Sequence, residues 1–401
     1  MTSQRPTRAT EHPTGTSKVP TATTTGPFEE GTGPLPEGRA AVIRGIGACL
    51  PPRVLSNEEV TRRGVLDTTD EWIRTRTGIA RRREAEKGTS TGDLAVAAGH
   101  AAQASARARA DLVLVATTTP DRRCPATAPE VAHRLGLGPV PAFDLGAVCS
   151  GFLYGLTVAT ALLRSGICAR PLVIGAETYS RIIDPLDRDT AVIFGDGAGA
   201  VLLGAGDPTE PGAIAALDWG ADGAGSDLIA ISAGGSRRPD TSPRLCREAR
   251  YFRMSGREVY GQAVRHMTES SLAVLKQVGW RPGSVRAFIG HQANQRILDS
   301  VADRIGIAPG HCYGNIREVG NTAGASIPLA LADTASRALV RPGARTLLTA
   351  FGGGLTWGSV ALTWPAAVPR THLPATPATD SATTARSPRR KPQWKLSTTT
   401  S

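Results

Sequence analysis

The chain reads as an α/β protein made of two similar halves, and three observations predict this. Short apolar strands alternate with helical stretches through the body of the chain, the pattern that buried and partly parallel sheets require. The order helix, strand, glycine-rich strand occurs twice, which points to a duplication. At 401 residues there is enough chain for two domains, or for one duplicated fold with a sizeable core.

Residues 1–38 are rich in Thr, Pro, Gly and Ser and lack apolar periodicity, so a disordered N-terminal tail is expected there. The first half is taken as 39–210. Its strands are Ala41 to Ile46, Leu112 to Thr117, Ala142 to Leu145, Leu172 to Gly175 and Ala200 to Leu203; helices fall near 91–108, 126–135 and 150–164. The second half, 211–365, has strands at Ala213 to Asp218, Leu228 to Ser232, Val285 to Gly290, Thr346 to Thr349 and Ser359 to Thr363. Its helices lie near 255–278, 294–305 and 322–339. Residues 366–401 read as a second disordered tail, basic through Arg389, Arg390 and Lys391.

The helix 150–164 is followed by strand Pro171 to Gly175 and the glycine-rich run Gly195 to Leu203. The helix 322–339 is followed by Arg345 to Ala350 and Phe351-Gly-Gly-Gly-Leu-Thr-Trp-Gly358. In a duplicated fold, sites form where the halves meet, so residues of both halves can converge.

Composition narrows the function classes. No run approaches the roughly 18 apolar residues of a membrane span, and no basic start followed by an apolar run opens the chain, so a soluble, unexported protein is expected. Six cysteines, at 49, 124, 149, 168, 246 and 312, are scattered without CxxC pairing. That spacing argues against a zinc site or a disulfide framework and fits a reducing cytosol. Of the net charge of +11, the two tails hold nine basic and five acidic residues, leaving +7 on the body. Only 4% of residues are aromatic and no basic stripe interleaves with them, so nucleic acid is not the expected partner. An acidic carrier protein or a phosphorylated cofactor fits the positive body better.

The stretch with the clearest chemistry is Asp144-Leu-Gly-Ala-Val-Cys149-Ser-Gly-Phe152, which leaves an apolar strand and delivers a cysteine to a helix start. There the helix dipole favours thiolate, which makes Cys149 a candidate nucleophile; a lone cysteine can equally be a small buried hydrophobe. His291 directly follows the strand ending at Gly290, at a carboxyl end where α/β sites form, or serves structure alone. Asn321 opens a helical stretch and could be a plain N-cap. Phe351-Gly-Gly-Gly354 frees backbone N–H groups for a reacting oxygen, or simply makes a tight turn.

Together, the order Cys149, His291, Asn321 and Phe351 to Gly358 resembles the β-ketoacyl-ACP synthase III branch of the thiolase superfamily. Thr69-Asp-Glu-Trp-Ile-Arg-Thr-Arg-Thr-Gly-Ile79, Phe194-Gly-Asp-Gly-Ala-Gly199 and His291-Gln-Ala-Asn-Gln-Arg296 carry the same resemblance, which spans roughly Ala40 to Pro365.

The resemblance implies a thiolase-like fold with a layered αβαβα core and a cytoplasmic homodimer. It implies an acyltransferase that condenses an acyl-CoA primer with malonyl-ACP through an acyl-Cys149 intermediate, losing carbon dioxide, in fatty-acid or polyketide initiation. No metal or resident cofactor is implied; acyl-CoA is substrate. By the same resemblance Cys149, His291 and Asn321 are catalytic, and the backbone N–H groups of Cys149 and Gly353 form the oxyanion hole. Trp72, Arg76, Arg188 and Asn294 meet CoA, Gln292 and Arg296 meet the carrier, and Cys124, Tyr179 and Phe194 wall the acyl pocket.

Two departures stand out. Cys124 occupies the place where relatives put a residue, often aromatic, that reaches across the dimer to cap the partner's pocket; a small thiol leaves more room there. Gly261 stands where relatives often carry a carrier-binding lysine, with Arg257 and Arg265 a turn to either side. These keep a rival open: an enzyme of an antibiotic pathway that passes an intact acyl group to a carrier or a sugar hydroxyl. Thiolase itself fits poorly, because no cysteine follows Cys312. Type III polyketide synthases lack the Trp72 and Arg76 motif, and a silent subunit would have lost its nucleophile.

Overall fold

The computed structural model describes residues 38–239 and 246–374. The apolar, β-branched runs of the sequence assemble into two main sheets, beside two small two-stranded ones, Arg53–Ser56 with Arg81–Glu84 and Ile229–Ala230 with Arg253–Met254. In the larger, the order across the sheet is Arg370–Thr371, Ala40–Cys49, Asp196–Gly206, Pro171–Thr178, Leu112–Ala116, Ala142–Leu145. In the smaller it is Ala287–Gly290, Arg345–Gly352, Thr356–Thr363, Ile214–Ala221.

One pairing scheme is used twice. Leu112–Ala116 runs parallel to Pro171–Thr178, which is antiparallel to Asp196–Gly206, itself antiparallel to Ala40–Cys49. In the smaller sheet Ala287–Gly290 is parallel to Arg345–Gly352, then Thr356–Thr363 and Ile214–Ala221 follow antiparallel. Helix, strand and glycine-rich strand therefore occupy matching places in both halves, as the repeated sequence pattern anticipates.

Three apolar seams hold five layers together. Helices Gly151–Arg164 and Ser326–Ser336 lie between the sheets, where Phe152, Leu156, Leu329 and Leu331 meet Val173, Val201, Leu348 and Val360. Helix Thr91–Ala106 covers the outer face of the larger sheet through Leu94, Ala98 and Ala102. Helix Gly256–Gln277 and helix Gln295–Ile305 cover the smaller sheet through Val264, Met267, Leu298 and Val301. Burying side chains from both sheets in one seam makes the relative position of the halves part of the core, at roughly 25 cal/mol for each Å² of apolar surface removed from water.

Close approach of elements explains some of the small residues. A Cβ on Gly47 would stand 2.2 Å from the Ala98 carbonyl oxygen, so only glycine lets helix Thr91–Ala106 lie directly on strand Ala40–Cys49. That helix starts at a capping box: Ser90 accepts from the Asp93 N–H while Asp93 accepts from the Ser90 N–H.

Residues 366–374, expected to be part of a disordered C-terminal tail, are placed in the structure. Arg370–Thr371 add a short parallel strand beside Gly47 and Ala48, the Ser105 hydroxyl donates to the Val368 carbonyl at 2.6 Å, and the His372 N–H donates to the Ala48 carbonyl at 3.1 Å. An open strand edge offers unpaired backbone groups, and these few residues satisfy them. Residues 1–37 and 375–401, with the Arg389, Arg390 and Lys391 cluster, lie outside the described residues. Among the described residues no helix is long and apolar enough to cross a membrane, and no cluster of His, Cys, Asp or Glu has the makings of a metal site.

Candidate active site

The stretch from Asp144 to Phe152 folds as a strand end, a turn and a helix start. Asp144 is fixed by accepting the N–H groups of Thr127 and Ala128, both at 2.7 Å. Val148 adopts a left-handed backbone with φ 47°, uncommon for a β-branched residue, and this sharp turn aims the next residue off the sheet. Cys149 follows in the single turn Val148–Ser150, immediately ahead of helix Gly151–Arg164.

The second half closes on that turn. A Cβ on Gly352 would lie 2.8 Å from the Cys149 nitrogen, so a side chain there would displace the nucleophile. Thr356, one residue past the glycine turn, has its hydroxyl 2.6 Å from that of Ser150 and 3.1 Å from the Ala147 carbonyl oxygen. Gly353 is thus carried beside the Cys149 turn. A Cβ on it would meet Ile229 Cγ2 at 3.0 Å.

His291 stands at the end of strand Ala287–Gly290, with its N–H donating to the Thr349 carbonyl at 2.8 Å. Its ring Nδ1 is 2.6 Å from the Ser326 hydroxyl, which also lies 3.4 Å from the Gln292 N–H. The Ser326 hydroxyl accepts from the Gln292 N–H and has its own proton to give to Nδ1, the arrangement in which Nε2 carries the hydrogen. Burial pushes the His291 pKa down to about 3, so the ring is neutral.

Asn321 is buried and bridged to Phe194 through the backbone: the Asn321 N–H donates to Ile193 at 3.0 Å and the Gly195 N–H to Asn321 at 2.9 Å. Its side-chain oxygen accepts from the Ala323 N–H at 2.8 Å, leaving the amide nitrogen as the atom available to a ligand. Helix Ser326–Ser336 begins five residues later, so Asn321 is not its N-cap.

One apolar cavity joins these groups. Cys149, His291 and Asn321 share it with Phe194, Ile229, Phe252 and Phe351. Just outside, Arg76, Arg257, Tyr260, Asn294 and Arg296 line a wider cleft of about 400 Å³. Val259 and Ala293 wall the cavity while their neighbours Tyr260 and Asn294 wall the cleft, so the two spaces abut.

Trp72 sits on helix Asp70–Thr77, which Thr69 caps by accepting from the Trp72 N–H. The guanidinium of Arg76 stands 5.8 Å from the Trp72 ring centre and that of Arg188 stands 5.3 Å from it. Asn294 caps helix Gln295–Ile305 through the Arg296 N–H and gives its Nδ2 hydrogen to the Arg76 carbonyl at 3.0 Å. The four residues that the resemblance assigns to CoA are therefore neighbours, with the exposed Arg296 beside them.

Several expectations are corrected. The Cys149 thiol is not acidified: burial and the nearby Glu177 carboxylate push its pKa above the ordinary thiol range, outweighing the helix start. Gln292 is fully buried; its amide donates to Gly290 and accepts from Asn315 and Ile316, so it has no face for a carrier. Tyr179 lies behind the cavity wall, stacked 4.6 Å from Phe194. Arg265 is turned toward Gln262 and His266 and away from the cleft.

Two residues have neighbours the sequence did not reveal. Ser326 was readable only as the end of Asn321-Thr-Ala-Gly-Ala-Ser326, with no signal that it would meet His291. Glu177 is wholly buried on strand Pro171–Thr178, accepting from the Thr118 N–H at 3.0 Å and the Thr119 hydroxyl at 2.9 Å. Burial raises its pKa to about 7.

The chain matches two family models: 3-oxoacyl-[acyl-carrier-protein] synthase III over residues 143–223, and the C-terminal part of that enzyme over 275–364. A Streptomyces coelicolor protein named beta-ketoacyl-[acyl-carrier-protein] synthase III 3 is 57% identical over 333 residues, 82% of this chain and 99% of that one. A Pseudomonas aeruginosa protein named beta-ketoacyl-[acyl-carrier-protein] synthase III is 48% identical over 331 residues, 82% of this chain and 98% of its own. The crystal structure of 3-oxoacyl-(acyl carrier protein) synthase III from Pseudomonas aeruginosa superposes with TM-score 0.76, covering 82% of this chain and all of that one. A priming beta-ketosynthase from a polyketide biosynthetic pathway superposes equally well, TM-score 0.76, at 34% identity, covering 82% of this chain and 98% of that one.

Proposed function

The chain belongs to the 3-oxoacyl-[acyl-carrier-protein] synthase III family, and from that premise we propose that it is an acyltransferase joining an acyl-CoA primer to malonyl-ACP. The observation that carries this is the meeting of Cys149, His291 and Asn321 in one apolar cavity at the inner end of a cleft lined with arginine.

In the first half-reaction the Cys149 thiol attacks the acyl-CoA carbonyl. The oxyanion that forms is held by the N–H groups of Cys149 and Gly353, which lie on the two halves of the fold. The carbon–sulfur bond to CoA breaks, the thiol proton leaves on the CoA sulfur, and acyl-Cys149 remains. In the second half-reaction His291 Nε2–H and the Asn321 amide donate to the thioester oxygen of malonyl-ACP. Carbon dioxide departs, and the enolate carbon attacks acyl-Cys149. A neutral His291 suits this step, because an imidazolium in so buried a place is costly. The Cys149 thiolate released at the end takes one proton from solution.

Arg76, Arg188 and Trp72 form the mouth that receives the CoA nucleotide, and Arg296 with Arg257 forms the rim that receives the acidic carrier. The halves divide near residue 210. The protein acts as a homodimer, with the edge strand Ala142–Leu145 and its exposed Phe143 as the supporting feature. Six unpaired cysteines support a reducing, cytoplasmic setting.

The test is to mix protein, an acyl-CoA panel and malonyl-ACP. Carbon dioxide release with an acyl adduct on Cys149 supports the reading. Efficient transfer of an intact acyl group to another acceptor without carbon dioxide would replace it with the simpler transferase.

A further inference from the structure

A buried carboxylate outside the Cys149 cavity ties together two stretches far apart in the chain. Asp184, between strand Pro171–Thr178 and helix Arg188–Ala191, is only 2% exposed. Its Oδ1 accepts from the Leu186 N–H at 3.0 Å and from Arg247 Nη2 at 2.7 Å; its Oδ2 accepts from Arg247 Nη1 and Arg253 Nη2, both at 3.0 Å. Arg253 reaches on to a second acid, with Nη1 2.6 Å from Asp187 Oδ2. Ion pairs between solvated side chains contribute little, but this acid is buried and four donors fill its acceptor positions, two of them as an arginine fork.

Each end of the clasp carries part of the site. On one side Phe252, next to Arg253, lines the Cys149 cavity edge-on to Tyr179 and Phe194, and its N–H donates to the Ile182 carbonyl at 2.9 Å. Met254 lines the same cavity, and Arg253–Met254 pairs with Ile229–Ala230, whose Ile229 lies against Gly353. On the other side Asp187 caps helix Arg188–Ala191 by accepting from the Asp189 N–H at 3.2 Å and the Thr190 hydroxyl at 2.7 Å. Arg188 opens that helix and holds its guanidinium 5.3 Å from the Trp72 ring centre. One pair of acids thus fixes a wall of the cavity and a side of the mouth together.

We propose that Asp184 is a positioning residue that sets acyl-chain length and CoA binding jointly, holding Phe252 against the cavity through Arg253 and Arg247, and Arg188 at the mouth through Arg253 and Asp187. This rests on the proposed reaction, in which the cavity takes the acyl group and the mouth the nucleotide. Without the carboxylate the two guanidiniums repel each other and Arg253 is left with Asp187 alone. Phe252 can then retreat, so the cavity admits a longer chain while the mouth loosens.

The experiment uses Cys149 as the gauge. Methyl and hexyl methanethiosulfonate are reacted with the parent, Asp184→Asn, Arg253→Gln and the double variant, and labelling of the Cys149 peptide is timed by mass. Calorimetry measures CoA binding to the same proteins. The hexyl-to-methyl rate ratio should rise about tenfold or more in each single variant, the discrimination a well-packed apolar pocket exerts on chain length, and rise no further in the double. The Kd for CoA should rise about 2- to 5-fold, the worth of an exposed cation–π contact. The Arg253→Gln arm stands even where melting curves show Asp184→Asn to be misfolded. Ratios within about twofold of the parent, equal acceleration of both reagents, or additive effects in the double variant overturn the assignment. Labelling needs neither CoA nor malonyl-ACP, so it decides the wall by itself; a parent that binds no CoA overturns the proposed reaction and, with it, the link to the mouth.

Discussion

Replacing Ser326 with alanine tests whether this hydroxyl sets the tautomer of His291. The hydroxyl lies 2.6 Å from Nδ1 in a site where both residues are buried. Removing one partner of a buried hydrogen bond costs about 1–3 kcal/mol, which is roughly 5- to 150-fold in rate when the loss falls on a transition state. The loss should fall on decarboxylation, where His291 must present a hydrogen on Nε2, and leave acylation of Cys149 nearly untouched. Single-turnover carbon dioxide release measures the first, and the rate of adduct formation with acyl-CoA, followed by intact mass, measures the second. Ser326→Thr, which keeps the hydroxyl, should restore much of the loss. Nitrogen NMR of the imidazole should show the Nε2–H tautomer in the parent and a mixture in the alanine variant. Equal falls in both half-reactions, or no fall in either, would refute the assignment.

Acidification separates two buried groups of opposite sign. With a folded pKa of about 3 against an unfolded value of about 6.5, His291 lowers stability as pH falls, by about 1.4 kcal/mol per unit across that interval, because the unfolded chain takes the proton first. Glu177, with a folded pKa of about 7 against 4.5, is protonated first in the folded chain and so adds stability over the same range. Urea midpoints measured at about pH 5, 6 and 7 should therefore change little in the parent, rise on acidification in His291→Gln and fall in Glu177→Gln; unchanged slopes would count against both assignments. Gly352→Ala puts a methyl 2.8 Å from the Cys149 nitrogen, so the adduct rate should drop more than a hundredfold while the far-ultraviolet spectrum stays native. Trp72→Ala removes the ring between Arg76 and Arg188; KM for acyl-CoA should rise about 3- to 30-fold with kcat held, from a loss of about 0.5–2 kcal/mol in cation–π and stacking contacts.

What could be read from residue order was the alternation of elements and the convergence of the halves. Strand Ala142–Leu145 has the bounds its apolar run indicates, and helix Gly256–Gln277 lies within a residue of its periodic stretch at either end. Cys149, His291 and Asn321 were legible because each follows an element boundary, and boundaries are where a chain leaves the core. Direction was harder. Gln292 is polar and next to His291, yet it points inward to satisfy Gly290, Asn315 and Ile316, a choice made by distant backbone that one stretch of sequence does not display. The helix-start position of Cys149 implied an acidic thiol; burial, a property of the whole fold, reverses it. Short polar helices such as Asn57–Gly64, held by the Ser56 capping box, were invisible to an apolar count although their caps were written in the residues.

The clasp of Gly352 and Thr356 on the Cys149 turn makes the seam between the sheets a ruler for the reaction. The Cys149 sulfur and the N–H of Gly353, one of the two oxyanion donors proposed above, are attached to different halves, so the gap between them is measured by the side chains that keep those halves apart. Shortening Leu348 or Phe152 to alanine would cost about 2–5 kcal/mol of stability and would also let the halves settle together, moving the N–H of Gly353 from the place proposed for it beside the reacting oxygen. Screens for altered activity therefore have a reason to include interior positions that touch no substrate, and sequence drift along that seam is drift in the chemistry itself.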